Sequence, residues 1–251
     1  FANDFASFFK VFIPYALEIG FIMVVLEIVL GVVAAVVVRG PRQRTRRVGA
    51  QPFIDVERLE GKSLGQAMNT SLWGPLGMTD TGFVVSADRV PRYARALAKD
   101  PAGKPQSIPS PLEPTKFECG GGCAVTTAGD YLNFAQMLLN GGTLGQARIL
   151  SRKTVDYMVS NQLAPGTRSL LGGTFTEWGY GLSVAVRTTP GIARGTGSVG
   201  EFSWPGAFGT YWWADPSERL AVVWMTASPN SAANARHRQT VKALVNGAIV
   251  D

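Results

Sequence analysis

The chain has 251 residues, of which 46% are hydrophobic and 17% charged, and a formal net charge of +6. This length is enough to bury a sizeable core in one large domain or two small ones. Half of the positive excess falls in the first fifty residues, beside an apolar stretch, where it is typical of a membrane flank, which argues against a nucleic-acid-binding surface.

The N-terminal 38 residues are predicted to form an apolar helix, and residues 16–38 are the candidate for a membrane span. This stretch contains only two charged residues, Glu18 and Glu27, and its 23 residues are enough for a helix to cross a bilayer. A buried core helix is the alternative. Residues 1–31 also resemble a transmembrane stretch of the DoxX-like membrane proteins.

Residues 39–60 are predicted to be a basic linker ahead of a domain that occupies residues 61–251. Five arginines, two prolines and two glycines fall within residues 39–52, a composition that does not support a packed element. If the preceding helix spans a membrane, these arginines favour a cytoplasmic location for the domain that follows.

The first helix predicted in this domain begins after Ser63. This serine is placed to cap the helix, and Leu64, Met68 and Leu72 fall on one face. The helix is expected to end before the next proline, which cannot continue its hydrogen bonding. Residues 101–114, with five prolines, are expected to form an irregular surface segment.

A second helix is predicted between Thr127 and the glycine pair Gly141 and Gly142. Thr127 and Asp130 have the spacing of an N-cap pair, and consecutive glycines favour the end of a helix. The side chains predicted to form its apolar face are Leu132, Ala135, Leu138 and Leu139.

Two cysteines, Cys119 and Cys123, precede this helix. They are too few for a disulfide framework, and because His237 is the only histidine, a zinc site of cysteine and histidine ligands lacks donors. We therefore predict free thiols and no metal site. A bridge between the two cysteines is the alternative in an oxidising compartment.

Two further helices and a strand are predicted in the C-terminal part. Ser151 is expected to cap a helix that runs to Gln162, residues 178–187 alternate as one strand, and residues 232–250 form a closing helix. The apolar side of the closing helix is predicted to consist of Val241, Leu244, Val245 and Ile249.

Residues 200–226 combine a strand pattern with small residues. Aromatic strand formers dominate the stretch, while Gly206, Ala207 and Gly209 leave the main chain uncovered in its middle, as the approach of a ligand requires. We therefore predict an antiparallel hairpin with an open, glycine-lined turn at the edge of a site.

The residues exclude several hydrolytic chemistries. Because the single histidine, His237, falls on the predicted solvent face of the last helix, Ser-His-Asp and Cys-His catalysis lack a base. The chain has no G-x-S-x-G elbow, phosphate-binding loop or H-E-x-x-H sequence. A serine activated by a lysine three residues later is still possible, and one such pair occurs, Ser7 and Lys10.

Several segments resemble the serine hydrolases related to class C beta-lactamases, penicillin-binding proteins and beta-lactamase-like esterases. The most specific is residues 61–83, with its Pro-Leu-Gly-Met and Asp-Thr sequences. Trp204-Pro205-Gly206 resembles the third motif of that family, which flanks the catalytic serine and precedes a residue whose N–H donates to the oxyanion. The resemblance therefore implies that Trp204, Gly206 and Ala207 form an oxyanion and substrate-binding edge.

This resemblance implies an α+β fold, in which an antiparallel sheet packs with helices beside a helical region, as in beta-lactamases and transpeptidases. It covers residues 61–251, so the part that carries the nucleophile and first strands is expected to be missing or replaced. Ser7 and Lys10 are the candidate nucleophile and base, although they precede the Pro-Leu-Gly-Met segment more closely than in the family. Tyr131 matches the letters of a family Tyr-x-Asn motif in the wrong order along the chain, and we assign it a structural role.

The implied function is a serine hydrolase that acts on small esters or amides through an acyl-enzyme, without a cofactor. Trp204 in place of a basic residue favours esters over beta-lactams. The family implies a membrane-associated, periplasmic or extracellular location, whereas the arginines of residues 39–47 favour the cytoplasm. Two alternatives stay open: a membrane-anchored module without turnover, and a join of two unrelated fragments.

Overall fold

A computed structural model describes residues 52–100, 102–108, 112, 117–119, 122–164, 178–191 and 195–250. The helices are α1 (Pro52–Glu60), α2 (Leu64–Met68), α3 (Ala128–Leu139), α4 (Arg152–Met158) and α5 (Ser231–Gly247), with a π-helical turn at Asn69–Trp73 and a 3₁₀ helix at Ala87–Arg92. Ser7, Lys10 and the predicted span of residues 16–38 lie outside the described residues. Among the helices that are described, none has both the length and the apolar character needed to cross a bilayer.

Seven short strands complete this part of the chain. They are β1 (Thr143–Leu144), β2 (Ala147–Arg148), β3 (Trp178–Tyr180), β4 (Ala185–Arg187), β5 (Phe202–Pro205), β6 (Tyr211–Asp215) and β7 (Leu220–Trp224). The last five form one antiparallel sheet in the order β3-β4-β5-β6-β7, and β1 pairs with β2 separately. The structure therefore confirms an α+β architecture built on an antiparallel sheet.

The two faces of this sheet are covered by different helices. Successive strand residues point to opposite faces, so Trp212 and Trp213 of β6 lie on opposite sides. The Trp212 ring lies 5.9 Å from that of Phe134 in α3, and both are buried in the main hydrophobic core. The Trp213 ring lies 5.8 Å from the Lys242 amine of α5. The sheet is therefore enclosed by α3 on one side and α5 on the other.

The predicted helix after Ser63 is present and capped as expected. The Ser63 hydroxyl accepts a hydrogen bond from the Gln66 N–H, while the Gln66 side chain accepts one from the Ser63 N–H. Leu64, Met68 and Leu72 are all buried, and each such side chain contributes about 1.5–3 kcal/mol by its removal from water. The predicted buried face is confirmed, although its last turn is π-helical.

The second predicted helix, α3, also begins and ends as expected. The Thr127 hydroxyl accepts from the Asp130 N–H, and Gly141 and Gly142 follow the helix with φ of 65° and 96°. The predicted apolar face is wrong at one position: Leu132 is 37% exposed. The buried side chains follow the helical spacing of Asp130, Phe134, Ala135, Met137 and Leu138, which places Leu132 outside the contact with the sheet.

Residues 178–187 form two strands, so the prediction of a single strand is wrong. β3 and β4 pair with each other, with Trp178 opposite Arg187. The Gly181 N–H donates to the Val184 carbonyl at 2.8 Å, and Ser183 adopts a φ of 65°. The sequence pattern does not reveal this turn, because the alternation of apolar and polar residues that predicts a strand continues through it.

Two predicted boundaries differ in the structure. α4 begins after Ser151, whose hydroxyl caps it, but ends at Met158, short of Gln162. Residues 52–60, which the sequence places in the linker, form α1, and its Val56 is buried in the core. The first part of the predicted linker lies outside the described residues.

The predicted apolar side of the closing helix is wrong at two of its four positions, while Val241 and Val245 are half-buried. Leu244 is 69% exposed and Ile249 is 41% exposed, whereas Asn234 and Lys242 are buried. The reason is that α5 is anchored to the sheet by a polar contact, since Lys242 donates a hydrogen bond to Glu201, the residue directly before β5. His237 is exposed, as expected.

Cys119 and Cys123 are joined by a disulfide, so the prediction of free thiols is wrong. Their Cα atoms lie 5.4 Å apart, within the range that a disulfide requires. The count of cysteines alone does not indicate this bridge.

Candidate functional site

A cleft of 410 Å³ lies between the sheet and the loops that precede α3. The turn between β5 and β6 and the residues after β7 form one part of its lining. Residues of the segment from Asp80 to Ala94, Ile108, and the residues at the start of α3 and just before it form the rest. Clefts of this size, mostly apolar with a few polar groups, are the usual place for small ligands.

The turn from Gly206 to Thr210 has a defined geometry. The Gly206 N–H donates to the Thr210 carbonyl at 2.7 Å, and the Gly209 N–H donates to the Gly206 carbonyl at 3.2 Å. Gly209 has a φ of 94°, and a Cβ atom there would overlap the Thr226 side chain. Only glycine fits this position, so the glycine-lined turn predicted here is a fixed structure.

The predicted edge residues lie in this turn or directly before it. Trp204 is half-buried, and its ring lies 5.7 Å from that of Tyr180. Gly206 and Ala207 come next, followed by Phe208 and Thr210, which line the cleft; the three predicted residues are not themselves among its lining. Ala207 is exposed, and its N–H makes no hydrogen bond to any of the residues that the structure describes.

A network of threonines and a buried carboxylate forms another part of the cleft wall. The hydroxyl oxygens of Thr81 and Thr126 lie 2.7 Å apart, and the Thr81 hydroxyl donates to the Asp130 carboxylate at 2.8 Å. The Asp80 N–H donates to the same carboxylate oxygen at 2.7 Å. In the sequence Asp130 is recognisable only as part of an N-cap, because Asp80 and Thr81, which it contacts here, are 50 and 49 residues away.

Arginines lie at the rim of the cleft beside one carboxylate. Arg89 and Arg92 contact Asp80 at 2.6 Å and 3.2 Å, and Arg89 also donates to the Thr79 carbonyl. The Arg89 side chain is 40% exposed and that of Arg92 62%. Ion pairs that are this exposed to solvent contribute little to stability. The main effect of Arg89 and Arg92 is therefore to add positive charge at the rim of the cleft.

A buried ion pair lies behind the sheet, away from the cleft. Lys242 donates to Glu201, and its amine lies 5.2 Å from the Trp178 ring and 5.8 Å from the Trp213 ring. Burial raises the pKa of the Glu201 carboxyl, an effect that the Lys242 charge opposes. Burial also lowers the pKa of Lys242. No sequence motif indicates this pair, whose members are 41 residues apart.

Tyr131 packs within α3 and against the sheet. Its ring lies 5.4 Å from that of Phe134 and 5.8 Å from that of Trp212. Burial raises the pKa of its hydroxyl above the ordinary value of 10.0. The structural role predicted for Tyr131 is confirmed.

The fold described above is shared with solved structures of hydrolases. A solved structure described as "EstCE1, a hydrolase with promiscuous acyltransferase activity" matches with a TM-score of 0.62 at 24% identity. The match covers 75% of this chain and 53% of that one. The fold is therefore the α+β fold of beta-lactamases and transpeptidases.

The family follows from the sequence comparison. The family model described as beta-lactamase matches residues 55–247, so the chain belongs to the beta-lactamase family. Protein Rv1367c of Mycobacterium tuberculosis is 40% identical over 181 residues, 68% of this chain and 45% of that protein. Esterase EstB of Burkholderia gladioli is 26% identical over 191 residues, 68% of this chain and 46% of the esterase. The chain thus spans about half the length of the curated relatives it matches.

Proposed function

We propose that this chain is a serine hydrolase that cleaves small esters through an acyl-enzyme. The observation that carries this proposal is the turn from Gly206 to Thr210, in which Phe208 and Thr210 line the cleft and the Ala207 N–H has no hydrogen-bond partner among the described residues. A fixed backbone donor can stabilise the negative charge of a tetrahedral intermediate without reorganising during the reaction. Membership of the beta-lactamase family supports the same general chemistry.

Esters are the proposed substrates because of the charges around the cleft. Trp204 is neutral where many family members carry a basic residue, so this position offers no cation to a substrate carboxylate. The arginines at the rim, Arg89 and Arg92, already share the Asp80 carboxylate. An uncharged acyl chain is therefore the best match for the largely apolar lining.

Ser7 and Lys10 are proposed as nucleophile and base because they are the one S-x-x-K pair in the sequence. In this mechanism Ser7 Oγ attacks the ester carbonyl and its proton passes to Lys10 Nζ. That proton then goes to the leaving alcohol as the ester bond breaks. Water attacks the acyl-enzyme in the second step, releasing the acid and restoring the serine.

The disulfide bears on where the protein works. Disulfides such as Cys119–Cys123 persist in oxidising compartments and are rare in the cytosol. We therefore place this domain in the periplasm or outside the cell, in preference to the cytoplasmic side that the arginines of residues 39–47 favour. Anchoring to a membrane through residues 16–38 is part of the same proposal.

The proposal is tested by turnover of p-nitrophenyl butyrate and nitrocefin by the full chain. We expect the ester to be the better substrate and Ser7→Ala to abolish its turnover. Ala207 is the second residue of the turn from Gly206 to Gly209, where proline fits, so Ala207→Pro removes the N–H with little strain. Loss of one oxyanion donor should lower kcat by about 10²–10³-fold.

Ala207→Ser is the matched control, because it keeps the backbone N–H. We expect it to retain kcat within about threefold of the original protein, a change small beside that expected for a lost oxyanion donor. Full activity of Ala207→Pro would exclude this N–H from the reaction. A folded chain without turnover of either substrate would show a module that does not catalyse.

A further inference from the structure

Two loops meet in the cleft wall through a pair of backbone hydrogen bonds. The Gly82 N–H donates to the Val125 carbonyl at 3.0 Å, and the Val125 N–H donates to the Gly82 carbonyl at 2.8 Å. In an antiparallel bridge the flanking residues face each other, so Thr81 and Thr126 lie side by side. Both line the cleft.

The direction of hydrogen bonding between these threonines is set by Asp130. A carboxylate only accepts hydrogen bonds, so the one proton of the Thr81 hydroxyl is used in its 2.8 Å bond to Asp130. The 2.7 Å contact between the two hydroxyls must then use the Thr126 proton. Thr126 therefore donates to Thr81, and Thr81 donates to the buried carboxylate.

Among the described residues, the Thr127 carbonyl at 3.4 Å is a weaker acceptor that can share the Thr126 proton with Thr81. In either arrangement the proton points into the protein, and the lone pairs of the Thr126 oxygen are left for the cleft. A chain of hydrogen bonds that ends on a charge polarises its members, which makes this oxygen a better acceptor.

A second threonine of the cleft lining, Thr226, also directs its hydroxyl proton away from the cleft. The Thr226 hydroxyl donates to the Phe208 carbonyl at 3.3 Å, so its proton is also directed into the protein. Thr126 and Thr226 thus both present acceptors among apolar groups such as Val84 and Met225. A ligand group that donates a hydrogen bond can pair with these two hydroxyl oxygens. A ligand group that only accepts hydrogen bonds leaves both oxygens without a partner.

We propose that Thr126 is a specificity-determining residue of the cleft, whose hydroxyl oxygen accepts a hydrogen bond from a hydroxyl or N–H group on the acyl part of the substrate. The inference rests on the proposed function, since it takes the cleft as the acyl-binding site. Substrates that carry a hydroxyl on the acyl chain are therefore preferred over the matching ethers.

The test is binding of two probes to the full chain, 4-phenyl-2-butanol and its methyl ether, measured by NMR titration. Neither probe can be hydrolysed, so the result is independent of turnover. We expect the alcohol to bind about threefold to tenfold more tightly, the contribution of one net hydrogen bond. Thr126→Val should bring the ratio to about one, while Thr126→Ser, which keeps the hydroxyl, should retain it.

Thr81→Val is a second test variant, and its result can be interpreted even if Thr126→Val does not fold. It removes the hydroxyl at 2.7 Å that holds the Thr126 proton, so that only the Thr127 carbonyl at 3.4 Å competes with a ligand acceptor in the cleft for this proton. The ether should therefore bind more tightly to Thr81→Val than to the original protein, an effect that mere loosening of the wall does not produce.

Equal affinity of the original protein for the two probes, or an unchanged preference in Thr126→Val, would overturn the inference. A preference that persists in a chain without ester turnover would instead refute the proposed hydrolase and leave a binding site for hydrogen-bond donors. Ester turnover without the preference would refute the role of Thr126 alone.

Discussion

At the scale of single residues, the cleft depends on backbone positions that only glycine can occupy. Gly209 combines a φ of 94° with a site where a Cβ atom would meet the side chains of Thr226 and Asn234. Its N–H closes the turn that carries Ala207. The shape of this turn is therefore encoded by one residue, which its sequence context of aromatic and small residues already singles out.

We expect Gly209→Ala to lower the free energy of unfolding by about 1–3 kcal/mol, because both backbone strain and overlap must be relieved. Gly145 is the matched control, since its φ is 54° but a Cβ atom there meets nothing within 4 Å. Gly145→Ala should cost only the strain, about 1 kcal/mol. Urea unfolding of the two variants measures the difference, and equal losses would contradict a packed turn.

At the scale of elements, the closing helix α5 is fixed to the sheet by charge. Glu201 is fully buried and Lys242 is 7% exposed. Removal of one member of a buried pair leaves an uncompensated charge and typically costs 3–5 kcal/mol. This anchor lies directly before β5, the strand that contains Trp204 and leads to the turn, so it also holds the edge of the cleft.

We expect Lys242→Met to lower the free energy of unfolding by about 3–5 kcal/mol near neutral pH. The double variant Glu201→Gln with Lys242→Met should recover most of this loss, because neither buried charge then persists. Urea unfolding of both variants tests the expectation. A double variant as unstable as the single one would show that the lysine acts through packing alone.

The Glu201–Lys242 pair also makes the stability of the protein depend on pH, and the direction of this dependence follows from the burial of the pair. The pKa of Glu201 is raised above its ordinary value of 4.5 in the folded protein, so the folded state binds the proton more tightly than the unfolded state. Stability from this group is then greatest below pH 4.5 and is lost as pH rises through the raised pKa. Lys242→Met should therefore be less damaging at about pH 4.5 than at about pH 8, since the unpaired carboxyl is then protonated.

At the scale of the whole molecule, local features of the fold are predictable from the sequence and distant contacts are not. The caps at Ser63 and Thr127 depend on hydrogen bonds within three residues, and both are found. The inner face of α5 was not predictable from hydrophobicity, because its contact with the sheet is an ion pair. Residues 178–187 hide a turn within an alternating pattern, which continues across both strands.

In the candidate site too, features formed by neighbouring residues are predictable from the sequence, and contacts between distant residues are not. The turn after Trp204 is recognisable because aromatic and small residues follow one another in the chain. The Thr81, Thr126 and Asp130 network is not, since its members meet only after two loops pair through Gly82 and Val125. A polar network of this kind has no fixed spacing, so only the structure shows it.

The central claim, that this chain transfers an acyl group to a serine, is tested most directly by mass spectrometry. The full chain would be mixed with p-nitrophenyl butyrate, quenched in acid within the first turnovers, and analysed intact and as peptides. We expect one butyryl group per chain on the peptide that contains Ser7, absent from Ser7→Ala and lost as hydrolysis proceeds. A folded chain that neither gains a butyryl group nor releases p-nitrophenol would contradict the claim.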